Sequence, residues 1–243
     1  MRLKLIACEI LFREINFLVS CSPHEVEVEF LTKGLHDLGR DGMYNRLSDV
    51  LCGVGVGYDA VLLGYGLCNG GVVGLRAGAA PVVIPRAHDC ITFFMGDRRR
   101  YLEYFSANEG VYFLTTGWIE RGSELTQKFP DSISTKLGIN LTKSELIERY
   151  GEANAEYLYE QLAGLKHYKK TTFIEMGIEP DNSFEDFARL DAQKKNMEFE
   201  KVKGDLSLLK KLVNGEWNED DFLILNPGEQ ISFAYNDDIV KSV

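Results

Sequence analysis

Apolar residues fall along this chain in two rhythms. "LKLIA" (3–7), "YDAVLLGY" (58–65), "PVVIP" (81–85) and "DFLILN" (221–226) are compact apolar runs. Strands covered on both faces read this way, as parallel strands do. "EVEVEFL" (25–31) and "MEFEKVKG" (197–204) alternate instead, and the first predicts an edge strand. "VYFLTT" (111–116) and "KTTFIEMGI" (170–178) are β-branched and aromatic, which also favours strands.

Helical candidates separate these strands near 37–52, 71–78 and 92–107. A polar stretch at 119–140 has little periodicity, and a long helix is expected over 143–164, opened by the capping box Thr142–Glu145. A helix over about 183–195 has Ser183 as its candidate cap. Another, "LSLLKKLVNG", lies between Asp205 as cap and Gly215 as stop. The β/α alternation predicts an α/β protein with mostly parallel, doubly wound sheets. Two Rossmann-like lobes are expected, about 1–118 and about 119–243, with the 143–164 helix crossing between them.

Polar residues cluster directly after the strands. Cys8-Glu9 follows the first, Lys33 to His36 the second, and Tyr65-Gly66-Leu67-Cys68-Asn69-Gly70-Gly71 the third. Arg86-Ala87-His88-Asp89-Cys90 follows the fourth, and "TTGW", ending at Trp118, the fifth. Parallel strands would bring all of them to one carboxyl edge, where open α/β sheets bind ligands. Cys8, Cys68 and Cys90 would then converge, and convergent thiolates suit zinc or an iron–sulfur cluster. His88, Glu9 or Asp89 could complete the shell. Tyr65, Gly66, Asn69, Gly70, Gly71, Arg86, His36 and Trp118 would surround it. The glycine-rich turn could offer a backbone nest to a negative centre, and Arg86 and Lys33 could lower thiol pKa values if they face inward.

Two metal-free readings stand beside this one. Cys68 or Cys90 could be a nucleophile with His88 as base, or the chain could be a non-catalytic partner of other proteins. Cys21 and Cys52 read as structural: Cys21 precedes the second strand and so lies on the wrong edge, and Cys52 falls on the apolar side of a helix. "GVGVGY" (53–58) follows a helix and leads into a strand, the reverse of a dinucleotide fingerprint. Arg98 to Arg100 reads as a solvated helix face, and His167 as a surface residue.

Composition narrows the partners. The net charge is −10 over 243 residues, and no basic stripe exists of the kind that phosphate backbones require. Nucleic acid and anionic membranes are therefore not expected partners. No apolar run approaches the roughly 20 residues that span a bilayer. The apolar N-terminus is broken by Glu9, Arg13 and Glu14 and no cleavage site follows, so a cytoplasmic protein is expected. Five cysteines, an odd number, argue against a disulfide framework there.

"LGYGLCNGG", "IPRAHDCIT" and "TTGWIE" together make the chain resemble the DUF1638 family, an uncharacterised group of methanogenic archaea and anaerobic bacteria. Cys8 matches the family's cysteine after the first strand, Gly34 to His36 its G-L-H element, and Pro85 to Cys90 its P-R-A-H-D-C block. Tyr65 to Gly71 match a Y-G-L-C-G-N-G block, with Asn69-Gly70 replacing Gly-Asn. The resemblance runs the length of the chain. It implies anaerobic one-carbon metabolism beside corrinoid methyltransferase systems, with a small-molecule or cofactor ligand.

Overall fold

A computed structural model describes residues 1–122, 143–152, 154–156 and 168–243. Its architecture is mixed α/β, with one mostly parallel and one parallel sheet. The first comprises β1 (Arg2–Cys8), β2 (Glu25–Leu31), β3 (Ala60–Gly64), β4 (Val82–Pro85) and β8 (Phe222–Leu225), ordered β2-β1-β3-β4-β8. The second comprises β5 (Val111–Leu114), β6 (Lys170–Glu175) and β7 (Glu198–Lys203), in that order.

The rhythms sort as their physics requires. β3 and β4 are buried at every position, whereas β2 is half exposed along an edge. On β1, Lys4 reaches across that edge to Glu27 at 2.9 Å and Glu29 at 3.1 Å, so the alternating glutamates of "EVEVEFL" answer a cation on the neighbouring strand.

Two strands differ from expectation. β5 is not the fifth strand of the first sheet: it pairs in parallel with β6, Val111 opposite Lys170. The open edge of β4 is taken instead by β8, antiparallel, with Val82 opposite Leu225. The end of the chain thus returns to the first sheet. It continues into a hairpin of β9 (Ile231–Phe233) and β10 (Val240–Ser242) that the apolar pattern did not announce.

The helices are α1 (Phe12–Ser20), α2 (Gly39–Cys52), α3 (Cys90–Met95), α4 (Arg98–Ala107), α5 (Thr116–Gly122), α6 (Lys143–Tyr150), α7 (Ser183–Lys194) and α8 (Ser207–Val213). The single helix expected over 92–107 is two, broken by a left-handed Gly96 and restarted by Asp97, whose carboxylate accepts from the amides of Arg99 and Arg100. No helix forms over 71–78, where the chain turns to pair with the hairpin through Leu75 and Ile231. α1 and α5 were not foreseen. Asp181, not Ser183, accepts from the first amide of α7, and Asp205 does so for α8 as expected. Thr142, most of the 119–140 stretch, the end of the 143–164 helix and His167 lie outside the described residues.

Candidate functional site

The strand order 2-1-3-4 places the topological switch between β1 and β3, and crevices open at the carboxyl ends of such strands. A small cavity lies there. Cys8, Cys68, Cys90, Lys33, Tyr65 and Thr32 are among its walls, with about 30 Å³ of room for the centre of a water-sized sphere.

Each thiol arrives on a different segment. Cys8 ends β1 and Cys90 opens α3. Cys68 sits in the loop after β3, with left-handed backbone at Cys68 (φ 43), Asn69 (φ 59) and Gly70 (φ 83). Non-glycine residues rarely hold that conformation, and where they do the strain clusters at functional sites. Asn and Gly are the two residues that best tolerate it, so the order Asn69-Gly70 serves this turn as well as Gly-Asn would. The loop is fastened to the next one by backbone hydrogen bonds: Leu67 N–H to the Ala87 carbonyl at 2.8 Å and Cys68 N–H to the His88 carbonyl at 3.0 Å. Gly66 permits this contact, since a Cβ there would stand 2.8 Å from the Ala87 oxygen and 2.9 Å from the Asp89 nitrogen. Sequence reading offered the glycines as an anion nest. The structure uses them for close approach, and the amides of Leu67, Cys68, Gly70 and Gly71 are already bonded to carbonyls.

Burial dominates the electrostatics. It pushes the Cys8 and Cys68 thiols up to about 12 and raises Cys90 well above the usual thiol range. One N–H works the other way at each sulfur: Ile10 at Cys8, Gly66 at Cys68 and the Trp118 indole at Cys90. Lys33, stacked 3.8 Å above the Trp118 ring, also lowers Cys8. Tyr65 is buried, its hydroxyl has no hydrogen-bond partner among the described residues, and burial followed by the nearby Cys8 and Cys68 raises its pKa well above the ordinary value.

The other expected members are not part of the cavity wall, although the Asp89 and Glu9 carboxylates are near enough to raise the thiols further. His88 does not face the thiols; its ring lies beside Tyr101, on the outer side of the loop. Asp89 is the cap of α3, accepting from Ile91 at 3.0 Å and Thr92 at 3.4 Å, and it also accepts from the Tyr101 hydroxyl at 2.9 Å. Arg86 faces away from the thiols and holds the C-terminal hairpin, donating to the carbonyls of Glu219 and Asp238. Glu9 accepts from the Lys33 amide at 2.9 Å and faces Arg121. Gly70 packs on Phe233 and Gly71 on Met43. His36 lies in the short 3-10 turn after β2, and its side chain is outside the described ones. Cys21 and Cys52 are apart from the cavity, and Cys52 is exposed, not packed on the apolar side of α2.

Sequence reading undervalued α5. Gly117 packs so closely on the turn after β1 that a Cβ would run into the Ile10 carbonyl oxygen. That contact carries Trp118, from the element that follows β5, to the thiols of the first sheet. The signal available was the pair Gly117-Trp118 directly after a strand.

The donor set suits a soft metal: three thiols, one N–H facing each, and an unpartnered hydroxyl beside them. Among the described residues, however, no three His, Cys, Asp or Glu side chains already stand at metal-binding spacing. Loading would require the thiols to turn inward and lose their protons. The room present matches one ion with a water rather than a cluster and its sulfides.

Among the described residues no helix is long and apolar enough to cross a membrane. No curated protein and no solved structure matches the chain. The model of a family described as "Protein of unknown function (DUF1638)" matches residues 30–213, three quarters of the chain, a span that includes Cys68 and Cys90 but begins after Cys8. The chain belongs to the DUF1638 family.

Proposed function

We propose that this protein holds a soft metal through Cys8, Cys68 and Cys90, a single zinc or iron ion in preference to an iron–sulfur cluster. The observation that carries the reading is the meeting of three thiols from separate segments in one buried cavity at the strand-order switch. A metal there would keep the thiols ionised at neutral pH and offer a position for a small-molecule or cofactor ligand. Tyr65 and Lys33 would flank that ligand. A cytoplasmic role beside corrinoid methyl-transfer proteins is the setting that the family resemblance suggests.

A nucleophilic cysteine is the weaker alternative. Burial holds the thiols protonated, and His88, the expected base, faces away from them. Protein purified without oxygen should contain near-stoichiometric zinc or iron. The Cys68→Ser, Cys90→Ser double variant should lose it. Acid-labile sulfide equal to the iron would point to a cluster in place of a single ion. Metal that survives the double substitution, or is absent from the wild-type protein, sinks the proposal.

A further inference from the structure

The outer side of the Arg86–Asp89 loop faces a second, larger cavity. It measures about 540 Å³ and is lined by His88, Arg98, Arg99, Leu102, Asn236 and Asp237. Sites for small organic molecules have this size. Three segments meet there: the loop after β4, the first turn of α4, and the turn between β9 and β10.

Its charge runs against that of the chain. Two arginines and a histidine line it with one acidic residue, Asp237, in a protein of net charge −10. The neighbouring arginines are occupied with structure. Arg86 holds the hairpin, and Arg100 donates to the carbonyls of Met95 and Lys203. Arg98 donates one N–H to the Asp237 carbonyl at 2.6 Å, which fixes the cavity wall. Arg99 differs: its backbone N–H is held by Asp97, but its guanidinium has no hydrogen bond or ion pair among the described residues. The His88 ring lies 6.1 Å from the Tyr101 ring and makes no hydrogen bond or ion pair among the described residues. The anchored guanidinium of Arg98 beside the exposed one of Arg99, with the apolar Leu102 next to them, can receive an oxyanion. Of the run Arg98–Arg100, read from sequence as a solvated face, Arg99 is exposed as expected, whereas Arg98 and Arg100 are half-buried and bond backbone carbonyls.

We propose that this cavity binds a small organic anion, one carboxylate or phosphate group carrying a short apolar portion. Arg99 supplies a two-pronged donor, Arg98 and His88 complete the anion's surroundings, and Leu102 receives the apolar part. Asp237 repels a second acidic group, so ligands with one anionic end are preferred. The proposal is independent of the thiol centre.

Isothermal titration of the full chain with butyrate, butyl phosphate and butylamine tests it. One or both anions should bind and butylamine should not; which anion binds names the head group. Arg99→Gln should weaken binding at least about tenfold with an unchanged melting temperature, because that side chain is exposed and bonds nothing among the described residues. Cys68→Ser should bind like the wild type, which separates this site from the thiol cavity. The proposal is overturned if neither anion binds up to about 10 mM, where even weak specific complexes register. Equal binding by butylamine, or unaltered affinity in Arg99→Gln, overturns it too.

Discussion

The two sheets present their carboxyl edges with opposite characters. At the first edge Cys8, Cys68, Cys90 and Tyr65 are closed into a cavity of about 30 Å³, and the Tyr65 hydroxyl has no partner. At the second, a pocket of about 180 Å³ is lined by Glu175, Glu179, Asp181 and Glu185. Each of those carboxylates is already engaged. Lys201 reaches Glu175 at 3.0 Å and Glu185 at 2.9 Å, while the amides of Met176 and Ser183 bind Glu179 and Asp181. Both edges sit where the topology permits ligands. The difference lies in satisfaction: the second edge uses its polar groups to hold its own loops, and the first leaves buried groups without protein partners. Position at strand ends makes both edges candidates, and burial with unmet polar capacity favours the first.

The sharpest way to break the contrast is Gly117→Ala. The new Cβ would meet the Ile10 carbonyl oxygen, so α5 must leave the turn after β1 and take Trp118 away from Cys90. A loss of at least about 4 kcal/mol in urea unfolding is expected. Near-wild-type stability would mean that this contact does not seal the first edge.

Next in size is thiol reactivity. A rise from 9.0 to about 12 leaves Cys8 and Cys68 with roughly a thousandth of the ordinary thiolate fraction near pH 8. Iodoacetamide followed by mass spectrometry should label the exposed Cys21 and Cys52 and spare the other three. Prompt labelling of Cys68 or Cys90 would revive the nucleophile reading.

A third test concerns Glu14, where the two halves meet. It is fully buried on α1, and its carboxylate bonds no other residue among the described ones. Burial, with a smaller push from Glu179, outweighs the lowering by its own backbone amide and by Arg13 and raises its pKa from 4.5 to about 7. The folded state therefore holds this proton where the unfolded chain has released it. Stability falls as pH rises from the unfolded value through the folded one, and the full cost is reached above pH 7. Glu14→Gln should add up to about 3 kcal/mol at pH 8 and almost nothing at pH 4. An equal gain at both pH values would show that packing, not charge, governs this position.

The smallest expected effect belongs to Tyr65→Phe. A hydroxyl without a partner should be lost at a change within about 1 kcal/mol. A penalty above about 2 kcal/mol would place that hydroxyl in a protein hydrogen bond and bring the first edge closer to the second in kind.

Much of this was legible residue by residue. "EVEVEFL" is β2 at its expected bounds and on an edge, because period-two alternation survives only where one face meets polar neighbours. Cys8, Cys68 and Cys90 were picked for following strands, and all three line one cavity. His88, Asp89 and Arg86 were picked on the same ground and do not line that cavity, although Asp89 caps α3 close enough to raise Cys90 and Cys68. Consecutive residues in a loop point different ways, and the loop's fastening through Leu67 and Cys68 decides which side each takes. α1 was hidden because Glu14, a charged residue type, occupies a core position on its inner face.

The sequence by itself determined the α/β class, most of the strands, the family and which three cysteines follow strands, because periodicity and residue chemistry are local. Tertiary structure decided which sheet receives β5 and β8, since strand pairing depends on edges left open by distant segments. It also decided that "GYGLCNGG" is a close-packed, strained mount for one thiol rather than an anion nest, because backbone approach and the fate of each N–H exist only once the neighbouring loop is in place.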